Sequence, residues 1–111
     1  MKRHTRLQGR GRFSQIYREG STWSHRLLVL KVLPNGLPES RFGFAVGKAL
    51  GGAVVRNHLR RRLREIVRHT PTCPNRDAIF IARAGAVGAT FSELTEAASE
   101  LLGRAGLKAE K

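Results

Sequence analysis

"GFAVGKALGGAVVRNHLRRRLRE", residues 43–65, passes from a short apolar segment through a glycine-rich loop into a run with arginines at 56, 60, 61, 62 and 64. Carried on to residue 68, the segment 54–68 holds six arginines and one acid, Glu65. On a helical wheel at about 100° per residue, residues 53–69 separate into two faces. Val55, Leu59, Leu63, Ile66 and Val67 share one arc of roughly 120°, an apolar stripe suited to packing on a sheet. Arg56, Asn57, Arg60, Arg61, Arg64 and Arg68 gather on the adjoining arc, and Arg62 lies beyond the other edge of the stripe. A solvated face is the ordinary meaning of a charge run, but here only Glu65 compensates locally. Like charges four residues apart destabilise a helix by about 0.2–0.5 kcal/mol per pair. A helix that carries several such pairs is predicted to meet an anion. Arginine's planar fork suits phosphate oxygens in particular.

The rest of the chain agrees. It has 111 residues, 41% of them hydrophobic, and a net charge of +13. That length predicts a single domain, 1–111. That charge calls for a polyanion, whether RNA, DNA or an anionic membrane surface. Residues 1–83 carry 18 of the 21 basic residues and four of the eight acids, so the last quarter reads as scaffold. Residues 1–12 hold five basic residues and no acid, and read as a basic arm that is mobile or ordered by a partner.

Outward from the arginine helix, "RFSQIYREG" (12–20) spaces Phe13, Ile16 and Tyr17 on one face of a short helix that Gly20 stops. "RLLVLKVL" (26–33) is a strand ended by Pro34, Asn35, Gly36 and Pro38. "SRFGFAV" (40–46) is a second strand, expected to form a hairpin with the first. "DAIFIAR" (77–83) is another, after the loop "TPTCPN" (70–75). Thr90 and Glu93 have capping-box spacing. Phe91, Leu94, Ala97, Ala98, Leu101 and Leu102 then mark an amphipathic helix. A further strand is expected around 21–26. The order α-β-β-β-α-β-α predicts an α/β (α+β) fold, a small two-layer sandwich.

The segment 43–65, with its Gly-Phe strand, Lys-and-Gly loop and basic–apolar helix, resembles the signature of the bacterial ribonuclease P protein subunit family. "RLQGRGRFSQIYREG" resembles that family's first helix, so the resemblance covers about residues 3–85. Two positions depart from it. The family's Arg-Asn-Arg triplet reads Arg56-Asn57-His58, and Lys31 occupies a strand position that is aromatic in some relatives. The resemblance implies a left-handed βαβ crossover containing the arginine helix, an exception to the usual hand. It also implies a role as the protein subunit of an endoribonuclease whose RNA does the chemistry, removing the 5′ leader of precursor tRNA. Ribonuclease P RNA and precursor tRNA are the expected partners, with no membrane and no obligate protein partner. Mg2+ is expected to be held mainly by the RNA. Lys48, Arg56, Asn57, His58, Arg60, Arg61, Arg64 and Arg68 are then the expected RNA-binding residues. Phe13, Tyr17, Lys31, Asn57, Arg61 and Arg64 are expected around a leader cleft. Aromatic rings there would stack on splayed bases with little regard to sequence.

Read from the residues alone, no hydrolase constellation is present. His4, His25, His58 and His69 show no ligand spacing with carboxylates, and Glu65 and Asp77 read as surface or capping residues. No catalytic and no metal-binding residue is expected. The single cysteine, Cys73, allows no internal disulfide, which fits a cytoplasmic protein. "MKRHTRLQGRGRF" has no apolar core of a signal peptide. A structured-RNA binder of another kind would share this size and charge. A DNA-binding helix-turn-helix is disfavoured because strands flank the arginine helix, and a membrane-surface helix because that helix has no aromatic.

Overall fold

The computed structural model describes residues 5–109. Five strands and three α-helices follow in the order β1 (Thr5–Arg6), α1 (Arg10–Glu19), β2 (Ser21–Ser24), β3 (Leu28–Pro34), β4 (Arg41–Ala45), α2 (Ala53–Arg68), β5 (Arg76–Ala82) and α3 (Phe91–Arg104). The predicted order of helices and strands is present. The strand expected around 21–26 is β2, and a two-residue β1 is added at the sheet's edge.

The sheet order is β1-β4-β5-β3-β2. β4 and β5 are parallel neighbours joined through α2, so the arginine helix lies in the crossover. The expected hairpin of 26–33 with 40–46 does not form. β5 lies between β3 and β4, antiparallel to the first and parallel to the second. The reason lies in composition. Ala78, Ile79 and Phe80 of β5 are wholly buried, and a strand apolar on both faces belongs at the centre of a sheet. β3 pairs instead with β2 in a hairpin.

Side chains alternate across the sheet, and two cores result. Leu28, Leu30, Val32, Phe42, Ala78, Phe80 and Ala82 face α2 and α3, whose Leu59, Leu63, Ile66, Val67, Leu94, Leu101 and Leu102 complete the main core. The two-layer sandwich is this sheet with α2 and α3. On the opposite face α1 buries Ile16 against Leu7 and Ile79, with Phe13, Leu33, Ala45 and Ile81 packed around them. Gly20 ends α1 as expected, but with φ −72 rather than left-handed. A side chain there would meet the Ile16 carbonyl at 2.7 Å. The capping box of α3 is present, with Glu93 N–H donating to Thr90 Oγ1 at 3.0 Å and Thr90 N–H to Glu93 Oε1 at 2.8 Å.

Three further sequence expectations are corrected. Of the supposed arm 1–12, residues 1–4 lie outside the described residues. The remainder is built into the fold: Thr5 and Arg6 pair with β4, Leu7 is buried, and α1 begins at Arg10. Val55, placed on the apolar stripe, is 40% exposed: it stands in the first turn of α2, against the backbone of Gly51 rather than in the buried core. Asp77 is neither a surface nor a capping residue. It is fully buried at the start of β5, where it accepts from Arg12, Arg41 and Asn35.

Candidate nucleic-acid interface

A cleft of about 350 Å³ opens at the outer edge of β4, between α2 and the segment that leads into α1. Leu7, Phe13, Phe42, Gly43, Phe44 and Val67 line it with apolar surface, and Arg6, Arg60, Arg64 and Arg68 line it with charge. Its position follows from the sheet. β1 pairs with β4 at Arg41 and Phe42, and among the described residues no strand flanks β4 on that side from Gly43 onward.

Each wall is held by packing. Leu59, Leu63, Ile66 and Val67 bury one face of α2 and so turn Arg60, Arg64 and Arg68 outward. Phe44 stacks parallel to the core ring of Phe80, with centroids 6.3 Å apart. The guanidinium carbon of Arg64 lies 5.9 Å from the Phe44 ring centroid, within cation–π range. Phe13 lies so close to β4 that only glycine fits at position 43. A Cβ there would come within 2.5 Å of its ring.

The charge at this site is poorly compensated. Burial holds the Arg64 guanidinium below its ordinary value, and the neighbouring charges of Arg6 and then Arg60 add to the effect. It stays protonated, so the repulsion persists until an anion arrives. Glu65, the acid on α2, is already engaged by Arg68 at 3.2 Å and by His69 at 3.0 Å.

The residues singled out from sequence divide. Phe13, Arg60, Arg64 and Arg68 come together in the cleft. Arg61 and His58 are exposed on α2. Asn57 Oδ1 accepts from Arg60 Nη1 at 3.1 Å, and Arg56 Nε donates to the Gly51 carbonyl at 3.1 Å, which braces the turn into the helix. Lys48 is exposed in a 3-10 turn, Lys48–Leu50, before α2. Tyr17 is 41% exposed, one turn beyond Phe13 on α1 and outside the cleft lining, and burial of its remainder raises its hydroxyl pKa. Lys31 is also outside the lining, its Nζ donating to Thr22 Oγ1 at 2.7 Å across the β2–β3 pair. Arg62, placed apart on the wheel, turns to the other side of α2. It donates to the Ala89 carbonyl at 3.3 Å and lies over Phe91.

Sequence reasoning missed Arg6, Phe42 and Phe44 as cleft residues. Arg6 reaches the site by a pairing between β1 and β4 that no local pattern announces. Phe42 and Phe44 had a signal, two aromatics at strand spacing on one face. Among the described residues no group of three or more His, Cys, Asp or Glu side chains is placed to hold a metal ion. No described helix is long and apolar enough to cross a membrane.

A family model described as Ribonuclease P matches residues 1–106, beyond the 3–85 that the quoted motifs span. The ribonuclease P protein component of Roseiflexus castenholzii is 44% identical over 110 residues, covering 96% of this chain and 90% of that protein. That of Dehalococcoides mccartyi is 43% identical, covering 95% and 88%. Among solved structures, the Staphylococcus aureus RNase P protein superposes with a TM-score of 0.82 at 28% identity, covering 94% of this chain and 97% of that one. The RNase P protein of Thermotoga maritima does so with a TM-score of 0.81 at 30% identity, covering 91% and 97%. A Staphylococcus aureus mutant described as having defective mRNA degradation activity gives 0.84 at 30% identity, covering 92% and 88%.

Proposed function

This chain belongs to the ribonuclease P protein family, and from that premise we propose that its arginine-rimmed cleft holds the single-stranded 5′ leader of precursor tRNA. Membership makes it the protein component of a ribonucleoprotein endoribonuclease that works with an RNA subunit in tRNA 5′ processing. Everything finer is the proposal.

One observation carries it: an apolar, aromatic floor beneath a cluster of arginines in which Arg64 is repelled by Arg6 and Arg60. A single strand presents base faces on one side and phosphates on the other. Phe13 and Phe44 offer stacking surface, which is sequence-tolerant because every base has a π-face. Arg6, Arg60, Arg64 and Arg68 offer forked donors to phosphate. Tyr17 and Lys31 extend the same strip beyond the cleft, towards the far end of α1 and across β3. Lys48, Arg56, Asn57, His58 and Arg61 lie on the outer side of α2 and the turn before it, where they meet the RNA subunit.

The chemistry belongs to that RNA in this reading. Guanidinium and apolar side chains line the cleft, and neither is an oxygen ligand suited to Mg2+. The metal is therefore assigned to the RNA, and no step passes through this chain. Its residues bind and orient the leader, which raises the effective concentration of the scissile phosphate at the catalyst. The cytoplasm is the compartment in which precursor tRNA is met.

Reconstitution tests the proposal. The protein is mixed with a bacterial ribonuclease P RNA and precursor tRNA at low magnesium. Cleavage at the mature 5′ end should appear that neither RNA nor protein gives alone. A protein-only arm with precursor tRNA and with an mRNA should yield no product. Leader release by the nuclease-free protein alone would place catalysis on the chain and overturn the reading.

A further inference from the structure

We propose that Arg12 is a positioning residue, which fixes the first turn of α1 on the sheet so that Phe13 stays in the cleft. The inference rests on the reading of that cleft as the leader site.

Helix α1 is poorly provided for at its start. Its N-cap, Gly9, offers no side-chain cap, and its first turn holds no acid. Arg10 and Arg12 instead place positive charge at the positive end of the helix dipole. The missing negative charge comes from elsewhere in the chain. Asp77, on β5 and fully buried, receives Arg12 Nε at 2.6 Å on one oxygen. The other two nitrogens of Arg12 donate to Gln15 Oε1 at 2.8 Å and to the Pro34 carbonyl at 3.0 Å. Every nitrogen of this guanidinium donates to a partner inside the protein, whereas among the described residues those of Arg61 and Arg64 have none. Arg12 is therefore a tether, tying α1 to the start of β5 and the end of β3.

What the tether holds is the next residue. Phe13 lies over Gly43, which pairs with Ile79, two residues along β5 from Asp77. A rotation of α1 about its axis would lift that ring away. Phe13 packs only at the margin of the small core, whose fully buried α1 residue is Ile16, almost a full turn further on, so the polar hold on the first turn comes from Arg12.

Arg41 supplies the control. It is the other arginine of Asp77, donating from Nε at 2.8 Å and from Nη2 at 2.6 Å, but it stands on β4 and holds no part of α1. Loss of either arginine should weaken the buried carboxylate's support. Only loss of Arg12 should free Phe13.

The experiment compares wild type with Arg12→Gln, Arg12→Lys, Arg41→Gln and Phe13→Ala. Two quantities are read. The first is the nuclear Overhauser contact between the Phe13 ring and the Gly43 α-protons in the free protein. The second is the ratio of precursor to mature tRNA affinity in the reconstituted holoenzyme. Arg12→Gln should lose the contact and lower the ratio several-fold, towards the value for Phe13→Ala. Arg12→Lys should recover part of both, and keeps the test decisive should the Gln variant fail to fold. Arg41→Gln should melt at a lower temperature with contact and ratio kept. If Arg12→Gln keeps the contact, or Arg41→Gln lowers the ratio as much, the positioning role is wrong while the cleft reading stands. An unaltered ratio for Phe13→Ala would remove the leader reading and this inference with it.

Discussion

The ring of Phe13 on α1 rests on the backbone of Gly43 in β4. A methyl group added at Gly43 would lie 2.5 Å from Phe13 Cζ and 3.3 Å from Leu7 Cδ2. The two residues are 30 positions apart in sequence, and this contact joins the first helix to the strand that enters the crossover. Overpacking of a fitted site costs typically about 1–3 kcal/mol. Gly43→Ala should therefore lower the thermal midpoint and displace the Phe13 ring. A melting curve that superposes on wild type would show that the ring yields freely.

The two faces of α2 should respond in opposite ways. Leu59→Ala and Leu63→Ala each empty a buried site, at a cost of roughly 2–5 kcal/mol. Arg61→Ala and Arg64→Ala should leave stability unchanged or slightly higher, since each removes like-charge repulsion. Both should weaken RNA binding. Chemical denaturation and a filter-binding assay on the four variants check this, and equal destabilisation by both pairs would contradict the assignment of faces.

Asp77 gives the fold a defined response to acid. Burial alone would raise its pKa, but the hydrogen bonds from Arg41, then Asn35 and Arg12, outweigh it and hold the carboxyl below its ordinary value. A carboxylate whose folded pKa is depressed stabilises the fold fully above its unfolded pKa, about 4, and loses that contribution as pH falls through the folded value. The stability difference between wild type and Asp77→Asn should thus be constant from neutral pH down to about 5 and shrink below about 4. Unfolding curves at several pH values measure it. A difference that grows on acidification would contradict the sign.

Tyr17 separates leader binding from stability. It is partly exposed on α1 and outside both buried cores, so its removal should alter folding little. If it extends the stacking strip, Tyr17→Ala should cost about 1–3 kcal/mol of affinity for precursor tRNA, and nothing for mature tRNA. A folded variant whose ratio of precursor to mature tRNA affinity is unaltered from wild type would return Tyr17 to a surface role.

Much of this was legible in the sequence. The 3.6-residue periodicity of 53–69 gave the buried face of α2, the outward arginines and the separate fate of Arg62, because a helix repeats locally. The cap of α3 was equally local. What was not legible is long-range. The insertion of β5 between β3 and β4 depends on which strand is apolar on both faces, and a hairpin between consecutive strands was the simpler guess. Asp77 looked isolated because its partners are 36, 42 and 65 residues away. The cleft itself was half visible. Phe13 and the α2 arginines were found from pattern and resemblance, whereas Arg6 and Phe44 are brought in by the sheet's open edge.

Crosslinking tests the central claim most directly. A holoenzyme is assembled on precursor tRNA bearing a photoreactive nucleotide at successive leader positions, and the attached peptides are identified by mass spectrometry. The account predicts attachment to the segments carrying Arg6, Phe13, Phe44 and Arg64, absent when mature tRNA replaces the precursor. Attachment confined to α3, or to the β2 edge of the sheet, would contradict it.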